Sequence, residues 1–200
     1  IEAMADQILD LLLPLEAKQE STGAPVRRHP EFIIVHLRRG DIVNKCAPGQ
    51  DEKECLVQIE AIAEKVDEIE KVRRIQALKS VKENDKDKDK NKNNVRKRLP
   101  VLVTTNEKRA EELEKISKLG WTLLDHGDPE NDSSSSSGST SVSRDIKLGT
   151  MSSLGPFYPP MLDAVLLTRG DYFIGMRNSR MSQLAAQRGS SWHGHKTILM

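Results

Sequence analysis

Long hydrophobic runs are absent from this sequence, and each apolar stretch falls far short of the roughly 18 residues that a bilayer-spanning helix needs. No segment with the character of a signal peptide opens the chain. Excess charge of either sign is absent too, because 31 basic residues are balanced by 30 acidic ones. No overall electrostatic field therefore draws the chain to nucleic acid or to a membrane surface.

Cysteine and aromatic residues are scarce, and two common nucleotide-binding motifs are missing. Cys46 and Cys55 are close in sequence, where a short-loop disulfide and two free thiols are both compatible with the spacing. The chain has no Gly-x-x-x-x-Gly-Lys-Ser/Thr loop and no Gly-x-Gly-x-x-Gly turn. We expect four of the aromatic residues to be packing residues and not stacking platforms: Phe157, Tyr172, Phe173 and Trp192.

The segment from Glu31 to Asp41, with the sequence EFIIVHLRRGD, dominates what is present. Its four consecutive apolar residues predict a buried strand, and His36, Arg38 and Arg39 follow at the carboxyl end of that strand. Ligands of open α/β sheets bind in the crevice at that end. Because a guanidinium group carries a fixed charge and matches phosphate oxygens two at a time, the paired arginines predict a phosphate-bearing ligand.

Chain length and hydrophobic periodicity predict one α/β domain over residues 1–200, with a parallel sheet and flanking helices. Strands and helices alternate as β-α-β-α-β through much of the chain, which implies parallel strands with right-handed crossovers. Thr104 and Glu107 have the spacing of a capping box, which predicts a helix directly after the second strand. The predicted helices begin near residues 1, 56, 104, 159 and 179, and the predicted strands cover 32–35, 100–104, 121–124 and 171–176.

Two low-complexity stretches, at about 82–98 and 129–147, are predicted to be disordered insertions. The first consists mainly of Lys, Asp and Asn, and the second contains an uninterrupted run of serines, so neither can bury enough apolar surface to offset the entropy of ordering. The first stretch is basic, but no aromatic residue interleaves its charges for base stacking. We therefore expect no nucleic-acid partner.

A second polar cluster follows the last predicted strand and contains Arg177, Asn178, Ser179 and Arg180. Asn178 and Ser179 can cap the next helix, whose free N–H groups favour an anion. A parallel sheet would place this cluster and the first one along the same edge. Asp163, inside an otherwise apolar helix, is either a solvent-facing position or a carboxylate that accepts two donors from a purine edge such as that of guanine.

With these three clusters in place, the chain resembles the GDP-fucose-dependent fucosyltransferase superfamily, which includes the protein O-fucosyltransferases, the α-1,6-fucosyltransferases and related fungal proteins. The resemblance rests on His36-Leu-Arg38-Arg39-Gly-Asp41, on Pro159-Pro160-Met-Leu-Asp163, and on Asp171-Tyr-Phe-Ile-Gly with Asn178-Ser179. It implies one half of a GT-B glycosyltransferase, namely the C-terminal, donor-binding Rossmann-like domain. The N-terminal acceptor-binding half of the same protein would complete the active site.

The resemblance also implies roles for individual residues. Arg38 would be the catalytic residue and contact the β-phosphate of GDP-fucose, with Arg39 supporting it or reaching the acceptor side. His36 and Asp163 would lie by the guanosine, and Ser179 would hold the diphosphate. The resemblance implies inverting transfer. Transfer would also be metal-independent, because a fixed guanidinium group stabilises the charge that builds on the departing GDP. The full predicted substrate-binding set is His36, Arg38, Arg39, Asp163, Asn178, Ser179 and Arg180.

The alternative to an enzyme is a non-catalytic nucleotide-sugar or glycan-binding interaction module. For the enzyme we expect a glycan or protein acceptor and no cofactor beyond GDP-fucose as donor substrate. Asp41 is best described as structural, since the general base cannot be assigned without the acceptor-binding half. The resemblance implies the lumen of the secretory pathway, in the Golgi or endoplasmic reticulum, with a membrane anchor in a segment outside this chain.

Overall fold

The computed structural model describes residues 1–13, 29–42, 46–51, 55–83, 98–126 and 146–200. Its strands are β1 (Ile33–Leu37), β2 (Val101–Thr105), β3 (Thr122–Asp125), β4 (Ile146–Lys147), β5 (Tyr172–Gly175) and β6 (Lys196–Leu199). Its helices are α1 (Glu2–Leu12), α2 (Ile59–Glu83), α3 (Ala110–Lys118), α4 (Thr150–Leu154), α5 (Tyr158–Leu166) and α6 (Arg180–Arg188), and a π-helix (Gly189–His193) follows α6. The strands form one parallel sheet in the order β4-β3-β2-β1-β5-β6.

Strand β1 lies at the centre of the sheet, and all of its residues are buried. Ile34 stands opposite Leu102 of β2 on one side and Phe173 of β5 on the other. A parallel sheet is covered by helices on both faces, so its central strands need apolar side chains at every position. This explains why residues 32–35 are consecutive apolar residues and do not alternate with polar ones, and why the apolar run ends only at His36, near the carboxyl end of β1.

The helices are divided between the two faces of the sheet. On one face, Ile62 of α2 and Ile116 of α3 join the core cluster that contains Val35 of β1. On the other face, α1, α5 and α6 pack in a second cluster, in which Leu162 lies with Ile34. Alternate residues of β1 therefore belong to different clusters, as the two-residue period of a strand requires.

The order in which successive strands are added to the parallel sheet reverses between β1 and β5. Apart from the two-residue β4, the order β3-β2-β1-β5-β6 is that of a doubly wound Rossmann-like sheet. The helix after β1, α2, covers one face, whereas the helix after β5, α6, covers the other. The chain therefore leaves these neighbouring strands in opposite directions, and such a switch point is where open α/β sheets bind ligands.

The predicted α/β class and Rossmann-like parallel sheet are confirmed, but the predicted capping box is wrong. Thr104 is a fully buried residue of β2, and α3 begins later, at Ala110. The neighbouring Thr105 hydroxyl instead accepts the N–H of Glu107 at 3.0 Å and donates to the carbonyl of Leu37 at 2.6 Å. The prediction also missed three elements, namely β4, β6 and α4.

Most of the two predicted insertions, along with residues 14–28, lies outside the described residues. The structure differs from the prediction at two boundaries, because α2 extends to Glu83 and β4 occupies Ile146–Lys147. Cys46 and Cys55 form a disulfide, which resolves the alternative left open by their spacing. Within the described ranges, no helix is both long and apolar enough to cross a membrane.

Two of the four aromatic residues expected to pack do not. Tyr172 and Phe173 are buried in β5, but Phe157 is 80% exposed and Trp192 is 66% exposed. The ring of Trp192 instead forms a cation–π pair with Arg188, in which the ring centroid lies 5.4 Å from Cζ of the guanidinium group. The prediction was wrong for Phe157 and Trp192, since a sequence of low aromatic content does not reveal which rings the fold will leave outside.

Candidate functional site

The first two predicted clusters meet at the carboxyl edge of the sheet. Val35 of β1 stands opposite Ile174 of β5, so the two strands end side by side. Nδ1 of His36 lies 2.7 Å from Oγ of Ser182, in the first turn of α6, and the same oxygen accepts the N–H of Met176 at 3.0 Å. Both side chains are buried. The end of β1 is thus tied directly to the start of α6.

The partners of Ser182 favour one tautomer of the neutral His36 ring. Because the serine oxygen already accepts the Met176 N–H, its own proton is available to Nδ1 of His36. The hydrogen of the neutral ring then sits on Nε2, which makes no hydrogen bond to any residue in the described part of the chain. Burial lowers the pKa of His36 to about 4, although the carboxylate of Asp163 opposes this shift. Near neutral pH, His36 therefore offers one N–H donor.

Asp41 holds the guanidinium group of Arg38. Nε and Nη2 of Arg38 each donate to a different carboxylate oxygen of Asp41 at 2.8 Å. The hydrogen bonds from Arg38 hold the pKa of Asp41 well below its usual range, so this carboxylate stays ionised. Both side chains are partly exposed. Among the described residues, no further side-chain partner of Arg38 is found, so the donors of Nη1 and the second hydrogen of Nη2 can serve an anionic ligand.

Asn106, directly after β2, fixes the turn that carries this ion pair. Its Oδ1 accepts the backbone N–H groups of Arg39 and Gly40 at 2.8 and 3.1 Å, and its Nδ2 donates to Oδ1 of Asp41 at 3.1 Å. A Cβ atom on Gly40 would lie 2.7 Å from the carbonyl oxygen of Asn106. Glycine is therefore needed at residue 40 because the two loops approach too closely for a side chain.

Arg39 does not share the site with Arg38. Its side chain is 3% exposed and forms ion pairs with Glu112 of α3 and with Glu107, whose Oε2 lies 3.6 Å from Nε. Hydrogen bonds from Arg109 lower the pKa of Glu107 to about 2, so the carboxylate facing Arg39 is charged. Arg39 therefore has a structural role, because its ion pairs connect the end of β1 to α3 and to the segment before it. The structure does not show the predicted contact of Arg39 with substrate. Arg38 and Arg39 diverge because successive side chains of an extended segment point in opposite directions.

Asp163, the third predicted feature, takes part in a hydrogen-bonded array with two residues that the prediction did not single out. Its Oδ1 lies 2.9 Å from Nε2 of His126, and Nδ1 of His126 lies 2.7 Å from Oγ1 of Thr150. The charge of Asp163 also acts on His36. Asp163 and His126 are each more than four-fifths buried, so the predicted alternative of a solvent-facing helix position is wrong. The carboxylate of Asp163 is therefore close enough to His36 to affect the pKa of its ring.

The start of α6 has the predicted cap. Ser179 is the N-cap residue, and its hydroxyl accepts the N–H of Ser182 at 3.4 Å, while Gln183 N–H begins the helical ladder on the Ser179 carbonyl. The N–H groups of Arg180 and Met181 precede that ladder and have no intrahelical acceptor. Asn178 and Arg180 are exposed, whereas Ser179 is buried. This helix end therefore presents its backbone N–H groups to a ligand, because the Ser179 hydroxyl is engaged within the cap.

A cavity of about 590 Å³ lies at the opposite, amino edge of the sheet. Several of its charged groups already serve the fold. Arg169 pairs with Glu2 and Asp6, and Oδ2 of Asp171 accepts the N–H of Phe32 at 3.1 Å. Because strand order places ligands at the carboxyl edge, the switch point between β1 and β5 is the stronger candidate site.

The structure brings His36, Arg38, Asp163 and the start of α6 to one edge and removes Arg39 from it. Sequence reasoning missed Ser182, Asn106 and His126 as members of the site. Asn106 and His126 share a signal that could have found them, because each lies two residues after the end of a predicted strand and directly after the observed one, β2 or β3. Ser182 had no such signal, since its partner His36 is 146 residues away.

Comparison with known proteins adds no assignment to this geometry. No protein-family model matches the sequence, and a search of the curated proteins also gives no match.

Proposed function

We propose that this chain is the donor-binding domain of a GDP-fucose-dependent fucosyltransferase, one half of a GT-B enzyme. The observation that carries the proposal is the hydrogen bond between His36 and Ser182, which joins the end of β1 to the helix that follows the second predicted cluster, at the switch point of the sheet. This arrangement places the guanidinium group of Arg38 and the N-terminus of α6 along one edge.

The diphosphate of the ligand would bind to Arg38 and to the backbone N–H groups at the start of α6. Both kinds of donor suit phosphate oxygens, the first through a charged fork and the second through the helix dipole. Breaking the bond between fucose and phosphate increases the negative charge on GDP. A guanidinium group already oriented by Asp41 stabilises that charge without reorganising, which lowers the barrier to inverting transfer.

The base would bind between His36 and Asp163. His36 offers an N–H donor, and Asp163 offers carboxylate acceptors. Guanine presents the complementary edge, with the O6 acceptor beside the N1–H and N2–H donors, whereas adenine presents a donor beside an acceptor. The proposed ligand is therefore a guanine nucleotide.

The disulfide supports the proposed location in the lumen of the secretory pathway. A link between Cys46 and Cys55 persists in the oxidising endoplasmic reticulum and beyond it, whereas cytosolic thiols are kept reduced. We further propose that the N-terminal half of the same protein supplies the acceptor site, for a glycan or a protein. It would also supply the general base, because Asp41 is held as the partner of Arg38.

Calorimetry of the chain with GDP tests the donor-site proposal. Arg38→Ala should weaken GDP binding by about 10- to 100-fold, since a hydrogen bond between charged groups contributes roughly 1.5–3 kcal/mol. Arg74→Ala is the matched control, because Arg74 is itself exposed on α2 and pairs with the buried carboxylate of Glu70, away from the candidate site. A folded chain that does not bind GDP, or an Arg38→Ala variant that binds it unchanged, would contradict the proposal.

A non-catalytic nucleotide-sugar or glycan-binding module is the second candidate. The engagement of Asp41 favours it, since a carboxylate whose pKa is lowered by its hydrogen bonds from Arg38 is a poor base for deprotonating an acceptor. The two candidates separate in an assay of the full-length protein with GDP-fucose. Transfer or donor hydrolysis that is lost in Arg38→Ala identifies the enzyme, while GDP binding without turnover identifies the module.

A further inference from the structure

We propose that His126 is a positioning residue for Asp163 and, through it, determines the preference of the site for guanine. The proposal rests on the guanine-nucleotide function above and assigns to that site two residues, His126 and Thr150, that no motif marked. Its basis is the hydrogen-bonded array in which His126 bridges Thr150 and Asp163 at 2.7 and 2.9 Å.

The direction of each hydrogen bond follows from the carboxylate. Ionised Asp163 only accepts, so Nε2 of His126 must carry the hydrogen in that bond. In the neutral ring Nδ1 is then an acceptor, and the hydroxyl of Thr150 donates to it. Thr150 is 5% exposed at the start of α4, so its hydroxyl is fixed by the fold. With a neutral ring, the hydrogen bonds of the array therefore run from Thr150 through His126 to Asp163.

Asp163 needs such a partner because a carboxylate rotates easily about its last bond. In the described part of the chain, His126 is the residue that hydrogen-bonds to it. A carboxylate has several lone-pair sites, and His126 occupies one of them on Oδ1. The remaining acceptor sites are on Oδ2 and on the second lone pair of Oδ1. With the carboxylate held in one plane, these sites can accept two parallel N–H donors from a ligand. Two neighbouring N–H groups, such as N1–H and N2–H of guanine, fit that plane.

The same geometry argues against Thr150 as a nucleophile. A hydroxyl, an imidazole and a carboxylate in series resemble a hydrolytic triad, but a nucleophile must reach its substrate. The hydroxyl of Thr150 is buried and engaged with His126. The array orients a carboxylate and does not activate an alcohol.

The test compares GDP with inosine diphosphate, which lacks the 2-amino group, by calorimetry on the complete chain. The wild-type chain should bind GDP about tenfold more tightly, as expected for one hydrogen bond to a charged group. His126→Leu should reduce this ratio to about two or less, because an unanchored carboxylate no longer selects for the second donor. His126→Gln, which keeps an N–H donor, should restore most of the ratio.

Two further variants keep the test decisive if His126→Leu fails to fold. Thr150→Val removes the hydroxyl at nearly constant volume and should roughly halve the ratio, whereas Thr150→Ser should preserve it. His193→Gln is the control, since His193 is exposed at the amino edge of the sheet.

The outcomes distinguish the two proposals. A wild-type chain that binds neither nucleotide overturns the proposed function and this inference together. GDP selectivity that persists unchanged in His126→Leu, or in Thr150→Val when the former does not fold, overturns the role of His126 alone. A ratio that falls in the apolar variants and returns in the conservative ones supports it.

Discussion

His36 and Ser182 share a 2.7 Å hydrogen bond across 146 residues of sequence. The bond joins the end of the central strand to the first turn of the helix after β5, on the two sides of the switch point. It also favours the ring tautomer that has its hydrogen on Nε2, so a structural contact and a property of the candidate site depend on the same hydroxyl group.

Removing that hydroxyl should affect both the fold and the site. Ser182→Ala leaves the N–H of Met176 and Nδ1 of His36 without their buried partner. We expect a loss of about 1–3 kcal/mol in the free energy of unfolding, measured by urea denaturation. GDP binding should weaken as well, because the donor on His36 is no longer fixed at Nε2. Ser191→Ala, at an exposed position, should change neither quantity.

The buried imidazole of His36 should make stability depend on pH. Its pKa is about 4 in the folded chain against an ordinary value of 6.5, so below pH 6.5 the unfolded chain binds a proton that the folded chain does not. Stability should therefore fall as the pH drops from 6.5 to about 4, by about 3 kcal/mol from this group, and no further below that. Denaturation of the wild type and His36→Gln across this range isolates the contribution. An NMR titration of His36 with a midpoint above 6 would contradict it.

The two adjacent arginines should separate cleanly in experiment. Arg39→Ala removes a buried guanidinium group from Glu107 and Glu112, which keep Arg109 and Lys115 as partners, and should cost about 1.5–3 kcal/mol of stability. Arg38→Ala breaks a partly exposed pair and should cost at most about 1 kcal/mol. Thermal denaturation combined with GDP titration distinguishes them. A stable Arg39→Ala variant with impaired GDP binding would instead restore the predicted ligand contact of Arg39.

The side chain of Asn106 should be required in its amide form. Asn106→Ala removes the acceptor for two backbone N–H groups and should cost about 1–2 kcal/mol. Asn106→Asp keeps that acceptor but places a negative charge against Asp41, to which the amide now donates. Both variants should weaken GDP binding by disordering the turn that carries Arg38. Equal GDP affinities in the wild type and Asn106→Asp would show that the turn holds its shape without this contact.

The disulfide should stabilise the segment that follows the site. Reducing the link between Cys46 and Cys55, which are separated by nine positions, should cost about 2–3 kcal/mol by releasing a short loop in the unfolded chain. The matched control is the double variant Cys46→Ser and Cys55→Ser, whose stability should not respond to reductant. A wild-type chain that is equally stable with and without reductant would show that the link does not constrain the unfolded state.

The sequence predicted the frame of the sheet because its signals are local. The apolar run before His36 and the cap at Ser179 each specify one element from a few neighbouring residues. The missed strand β6 is short and lies at a sheet edge, where packing with β5 and not a strong pattern determines its conformation. Periodicity reports burial, and edge strands carry little of that signal.

The candidate site was predicted only in part, for a related reason. The motif predicted that Arg38 lies at the candidate site, but it could not show that Arg39 would form ion pairs with Glu107 and Glu112, which follow β2. Likewise, His126 acquires a partner only when α5 brings Asp163 against the end of β3. Contacts between distant segments are made by tertiary packing, and neither charge nor spacing in one segment specifies them.

The pairing of Arg38 with Asp41 means that an arriving anion meets a cation that is already partly neutralised. Asp41 weakens the long-range attraction of Arg38 for anions but fixes the orientation of its guanidinium group. The turn is therefore better suited to selecting among anions than to attracting them from a distance. Inorganic phosphate, which gains only charge neutralisation, benefits least from such an arrangement. A ligand that contacts the guanidinium and the helix end at the same time benefits most.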